Sequence, residues 1–162
     1  MHPLALLQAM VLLALANGTP VIAKRVLGQR LAWPLDANVT WFDRRPLLGP
    51  SKTMRGVVLS LLITTIAAPL IGLGAEVGCL AAGTAMAGDL CSSFVKRRLN
   101  LAPSSQALGL DQVPESLLPL LALRSLLALS AADIAVAVVG FMIGELMLSR
   151  LLYKIHLRDE PY

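Results

Sequence analysis

Three segments of this chain carry the residue types that chemistry on phosphates requires. The first reads Gly88-Asp89-Leu90-Cys91-Ser92-Ser93-Phe94-Val95-Lys96-Arg97-Arg98. On a helix, Asp89, Ser93 and Lys96 stand at i, i+4 and i+7 and so share one face. The second is Leu48-Gly49-Pro50-Ser51-Lys52-Thr53-Met54-Arg55-Gly56, where Lys52, Arg55 and backbone amides can grip phosphates. The third, Gly109-Leu110-Asp111-Gln112-Val113-Pro114-Glu115, offers a second carboxylate at Asp111. Two carboxylates flanked by Lys and Arg suit a divalent metal that holds a phosphorylated ligand. Each segment also has a plain structural reading. Asp89 can pair with Lys96 or an Arg simply to hold helices together. Asp111 and Glu115 can be acidic residues at a helix start marked by Pro114. The segment around Lys52 can be a loop that sets topology and touches lipid.

The elements that position these residues follow from composition. The 162 residues are 56% hydrophobic and only 15% charged, with a mean hydropathy of +0.71. Soluble domains run at roughly 45–50% apolar and about 25% charged. A water-soluble globule and a disordered tail are thereby excluded. The expected architecture is all-α: a polytopic integral membrane protein of about five transmembrane helices in a single domain, 1–162. The spans are expected at about 3–23, 56–74, 76–95, 114–130 and 131–155, with loops at 24–55 and 96–113. Asn17, Gly18, Thr19 and Pro20 interrupt the end of the first span. That span is not read as a cleaved signal peptide, because its basic residues follow the apolar run rather than precede it.

Thirteen of the fourteen Lys and Arg residues lie in three groups: Lys24–Arg55, Lys96–Arg98 and Arg150–Arg158. Only Arg124 falls outside them, and the short links near residues 74–76 and 130–133 have no basic residue. The positive-inside rule then places the N-terminus outside and both long loops and the C-terminus in the cytoplasm. The net charge of +4 and pI near 9.5 fit anionic headgroups. Nothing matches a zinc-finger or RNP pattern, so no nucleic-acid partner is expected.

Other polar and special residues have simpler assignments. Arg124 and Glu145 both fall near the expected midplane and are read as a structural ion pair, with a transporter as the alternative use. Asp133 belongs at the outer turn. Gly78, Ala81, Ala82, Ala85 and Gly88 permit close helix approach. Cys79 and Cys91, twelve residues apart on one helix, cannot form a disulfide with each other and are read as small apolar packers. Trp33, Trp41, Tyr153 and Tyr162 are expected as interfacial anchors, and the isolated His2 and His156 as non-catalytic.

Taken together, Asn17-Gly18-Thr19-Pro20, Pro34-Leu35-Asp36, the Gly-Pro-Ser-Lys-Thr-x-Arg-Gly run at 49–56, the Gly-Asp-Leu…Ser-Phe-x-Lys-Arg-Arg run at 88–98 and Leu110-Asp111-Gln112 resemble the CDP-archaeol synthase family. These are integral-membrane CTP-dependent cytidylyltransferases related to phosphatidate cytidylyltransferase. The resemblance runs through nearly the whole chain in the same order. It implies transfer of CMP from CTP to a membrane lipid phosphate in phospholipid biosynthesis, giving a CDP-lipid and pyrophosphate at the cytoplasmic face of the cell (inner) membrane. It further implies Asp89, Asp111 and Lys96 as catalytic residues, with Asp89 and Asp111 carrying Mg2+. Lys52, Arg55, Lys96 and Arg97 would hold phosphates, and Ser51, Thr53 and Ser93 would donate hydrogen bonds. Three departures stand out. Pro114-Glu115 replaces a further Asp near Pro114, so Glu115 is the candidate substitute. Met54 stands where Trp is usual, and the Lys-Asp pair of the phosphatidate enzymes after Lys96-Arg97 is missing. These departures leave a non-catalytic protein that binds anionic lipids as the alternative.

Overall fold

The computed structural model describes residues 2–102, 105 and 107–154, leaving out the side chains of 152 and 154. His156, Arg158 and Tyr162 lie outside the described residues. Five helices make up the described chain: α1 (Pro3–Leu27), α2 (Met54–Leu70), α3 (Ala75–Arg98), α4 (Gln112–Ala122) and α5 (Ala131–Lys154). Among the described residues, α1, α3 and α5 hold the three segments long and apolar enough to cross a membrane. At about 1.5 Å per residue each exceeds the ~30 Å hydrocarbon core. The 17-residue α2 is apolar but shorter.

α1 runs unbroken through Asn17-Gly18-Thr19-Pro20, where an interruption was expected. Pro20 has no N–H and so leaves the Ala16 carbonyl, four residues back, without its helical partner. Ser60 Oγ of α2 donates to that carbonyl at 2.7 Å. The same small-residue logic holds α3 against its neighbours. A Cβ built on Gly78 would stand 2.6 Å from the Thr64 carbonyl oxygen of α2. One on Gly88 would stand 2.2 Å from the Pro114 carbonyl oxygen of α4. Both glycines permit backbone approach that a side chain would block.

The fourth span is shorter than expected. α4 ends at Ala122, and 123–128 form turns rather than completing a helix to 130. The ladder stops because Leu123 N–H bonds Pro119 O and Arg124 N–H bonds Leu121 O, a tightening last turn. Ser130 and Asp133 then cap α5. Ser130 N–H and Oγ–H reach Asp133 Oδ2 at 3.0 and 2.7 Å, and Asp133 N–H returns to Ser130 Oγ at 3.1 Å. Asp133 is thus at the turn, as expected, but fully buried.

This geometry corrects the Arg124–Glu145 pairing. Arg124 is exposed in the turn beside the start of α5, and its carbonyl accepts from Leu129 N–H. Glu145 lies twelve residues beyond Asp133 on α5, about 18 Å further along the axis. There it stands within electrostatic reach of Glu115. The cysteines also depart from expectation. Cys79 and Cys91 are free thiols on the exposed side of α3 rather than packed inside.

Helix direction alternates, so chemistry gathers at one end. The start of α1 meets the end of α2 through Gln8 Nε2–H donating to Ile71 O at 2.8 Å. At that end Leu127, Leu129 and Ile134 join the apolar core with Ile71 and Leu73. The opposite end carries the 28–53 loop, the last turn of α3 and the described residues between α3 and α4.

Candidate functional site

The 28–53 loop is built around Asp36, which is 7% exposed. Its Oδ2 accepts from Leu48 N–H at 2.9 Å and Gly49 N–H at 3.0 Å, and its Oδ1 from Asn38 N–H at 3.1 Å. Burial pushes the carboxyl up, yet these N–H groups outweigh it and hold the group below its usual value. The i, i+2 contact to Asn38 is an Asx turn, and Asp-x-Asn in a loop is the local signal for it. Paired extended residues, Pro34 with Thr53 and Thr40 with Pro46, close the loop on itself. Trp41 packs edge-on against Phe94 of α3, ring centroids 5.6 Å apart. Arg98 Nη1 meets Asp43 Oδ1 at 2.5 Å.

So anchored, the loop aims Lys52 into the bundle. Lys52 Nζ lies 2.5 and 2.6 Å from the two oxygens of Asp89 on α3. Asp89 also lies within electrostatic reach of Glu115 of α4. Glu115 is 8% exposed. It is brought there because Gly88, next to Asp89, packs directly on the Pro114–Glu115 backbone. A second cluster stands beside the first. Lys96 Nζ meets Asp111 Oδ1 at 2.8 Å and donates to Ser105 O at 3.0 Å. Asp111 occupies the position before α4, but its side chain does not cap that helix. Its Oδ2 instead accepts from Ala107 N–H at 3.1 Å. Arg97 is buried within the electrostatic reach of Asp111, and its Nη2 donates to Ala102 O at 3.0 Å. Its stem lies along Gly49, whose φ of +92° is a glycine conformation.

The expected site residues therefore divide. Asp89, Lys52, Lys96, Asp111, Arg97 and Ser93 lie on or against the α3 face at the loop end, with Ser93 buried. Lys96 also acts electrostatically on Asp89, which links the two clusters. Ser51 is exposed at the loop turn. Thr53 caps α2, its Oγ1 accepting from Gly56 N–H at 3.3 Å. Arg55 is buried and donates to Gly28 O at 2.7 Å and to Arg30 O. In this conformation Thr53 and Arg55 build the loop and Ser51 stands apart. Asp89 pairs with Lys52 rather than with Lys96, the partner that spacing alone had suggested. Asp36 and Glu145 were given no place in the site by the sequence. For Glu145 the signal was an acid in an apolar span, but the expected depth of Arg124 drew it to the wrong partner.

An oxygen-only pair, Asp89 with Glu115, has the donor chemistry of a hard divalent cation such as magnesium. Two buried carboxyl groups in reach of each other need a shared proton or cation to coexist. Asp111 stays with Lys96 and Ala107 N–H, and among the described residues no three or more His, Cys, Asp or Glu side chains gather into a metal-holding group.

Comparison with known proteins shows what the chain is similar to. Residues 71–162 match the family model described as CarS-like, CDP-archaeol synthase. A CDP-archaeol synthase of Thermofilum pendens is 33% identical over 91% of this chain and 75% of its own length. One of Pyrococcus furiosus is 41% identical over 60% of each chain, so the match spans under two thirds of that relative. A solved structure of an intramembrane enzyme for archaeal membrane lipid biosynthesis superposes with a TM-score of 0.71 at 28% identity. That superposition covers 85% of this chain and 90% of the other. The apolar helices and this likeness make the chain an integral membrane protein. It belongs to the CDP-archaeol synthase family.

Proposed function

We propose that this protein transfers CMP from CTP to an ether-linked lipid phosphate of the archaeal type, yielding a CDP-lipid and pyrophosphate. The observation that carries the reading is the pair of neighbouring clusters, Lys52–Asp89–Glu115 and Lys96–Asp111–Arg97, at the loop end of apolar helices. Carboxylates and cations alternate there, at a level where a water-borne nucleotide can meet a headgroup whose tails stay in the bilayer. Membership of the CDP-archaeol synthase family supports a cytidylyl donor and an archaeol-type acceptor. Placing this end in the cytoplasm rests on its basic residues.

The chemistry asks little of a general base. An ionised lipid phosphate is already a nucleophile, and its oxygen attacks the α-phosphorus of CTP. The bond from that phosphorus to the bridging oxygen of the β-phosphate breaks, and pyrophosphate leaves with the electron pair. The barrier is repulsion between anions, which positioning and fixed positive charge reduce. Lys52, Lys96 and Arg97 would bind and orient the phosphates, and Ser93 would add a hydroxyl donor. Asp89 and Glu115 would hold magnesium, which when bound supplies charge neutralisation of the polyphosphate.

The test is pyrophosphate release by purified protein from CTP and magnesium, with an ether-lipid phosphate, a diacyl phosphatidate and a polyprenyl phosphate compared. Release that requires a lipid phosphate and is fastest with the ether lipid is expected. Absence of release with all three acceptors would leave anionic-lipid binding without catalysis as the function.

A further inference from the structure

We infer that Lys52 is a displaceable internal counter-ion, which makes binding of a divalent cation and binding of a phosphate ligand depend on each other. The inference rests on the cytidylyltransferase reading for the identity of the phosphate ligand. Its structural basis is separate. Lys52 Nζ is bound by both oxygens of Asp89, at 2.5 and 2.6 Å, and so neutralises the carboxylate. Glu115, which is buried, interacts electrostatically with Asp89. A divalent cation seeking the oxygens of this pair competes with the ammonium for the same two atoms. Two positive groups share them only at a cost, because like charges at contact distance repel.

Lys52 leaves more readily when another anion takes its charge. Its main chain is fixed: Lys52 N–H bonds Gly49 O at 3.2 Å, and Lys52 O accepts from Leu35 N–H at 2.8 Å. Only the four-carbon stem is free to swing, and a stem of that length serves as a movable point charge. A phosphate that draws the ammonium away uncovers Asp89, and a cation on Asp89 frees the ammonium for phosphate. By linkage each ligand raises affinity for the other by the same factor. Either ligand alone meets a site already neutralised by Lys52, which disfavours idle occupancy.

The experiment measures Mn2+ binding with no nucleotide present, by the EPR signal of free Mn2+, on the full chain in detergent. Lys52→Met keeps the stem and removes the charge. It is expected to bind Mn2+ about 5–150-fold more tightly than the wild type, the range usual for coupled sites. Lys52→Arg keeps the charge and should stay near the wild type. The Lys52→Met/Asp89→Asn double variant should lose the gain. Thermal melting of each variant checks folding. Unchanged or weaker Mn2+ binding by folded Lys52→Met overturns the inference, as does a gain that survives Asp89→Asn. Cytidylyl transfer by the wild type, measured on the same preparation, separates the two ideas. Turnover with no gain in Lys52→Met sinks the counter-ion and leaves the enzyme. A gain without turnover does the reverse.

Discussion

Lys52 and Asp89, thirty-seven positions apart in sequence, form a two-pronged ion pair that ties the 28–53 loop to the middle of the bundle's functional end. Because Asp89 also lies within electrostatic reach of Glu115, removing its charge changes two interactions at once. Asp89→Asn is expected to lower cytidylyl transfer by at least about 10²-fold, the scale of losing one preorganised electrostatic group. Glu115→Gln should also lower it, since the pair and not Asp89 alone offers the oxygens. Rates of pyrophosphate release measure both. A Glu115→Gln variant with wild-type turnover would remove Glu115 from the site.

Lys96 and Asp111 form a second pair, with side chains 9% and 15% exposed. Breaking a buried pair by removing one partner costs about 3–5 kcal/mol, because the other charge is left uncompensated. Lys96→Met is therefore expected to lower both stability and activity. Adding Asp111→Leu should restore much of the stability, since both charges are then gone, while activity stays lost. Thermal melting and transfer rates separate the structural share from the catalytic share. Recovery of activity in the double variant would make the pair a purely structural bridge.

Sequence and structure agree most where local rules decide. The loop-end clustering of Asp89, Lys52, Lys96 and Asp111 was legible because helix spacing and charge grouping are short-range signals. The partner choices were not, since they depend on side-chain reach across elements. Lys96 stood seven residues from Asp89 on one face, yet Lys52, arriving from a loop held by Asp36, took that position. The length of α4 was hidden because an apolar run in a membrane protein looks the same whether it is helical or folded into turns. Arg124 then inherited a false depth, and with it a false partner in Glu145. Cys79 and Cys91 show a related ambiguity: in lipid, an exposed face is as apolar as a core.

The α3–α4 contact makes a sharper prediction about distance. Gly88→Ala would place a Cβ 2.2 Å from the Pro114 carbonyl oxygen, a backbone atom that cannot rotate away. α4 must shift, at about 1–3 kcal/mol for overpacking, and Glu115 shifts with it. Activity should fall more steeply than the melting temperature, because the Asp89–Glu115 juxtaposition depends on this contact. Gly83→Ala is the control. It lies on the same helix, where the nearest atom to a new Cβ is Leu61 Cδ2 at 3.9 Å, and should leave both quantities near the wild type.

The loop hub yields a pH prediction whose sign follows from Asp36. Its carboxyl sits below the usual value in the folded protein, because three backbone N–H groups favour the charged form over the opposing effect of burial. A lowered folded value means that Asp36 contributes stability fully above its unfolded pKa of about 3.9. That contribution is lost as pH falls through the folded value. Asp36→Asn removes the charge at every pH, so it should loosen the loop at neutral pH. The difference from the wild type should narrow as the pH drops below about 4. The chain has two tryptophans, and both Trp33 and Trp41 lie in this loop, so intrinsic fluorescence reports on it directly. Urea titrations of that signal at neutral and acid pH are the measurement. A gap between wild type and Asp36→Asn that is constant across this range would mean that the loop does not depend on the Asp36 charge. Lys52 would then be aimed at Asp89 by the chain's other ties, the Pro34–Thr53 bridge and the Arg55 bonds to Gly28 and Arg30.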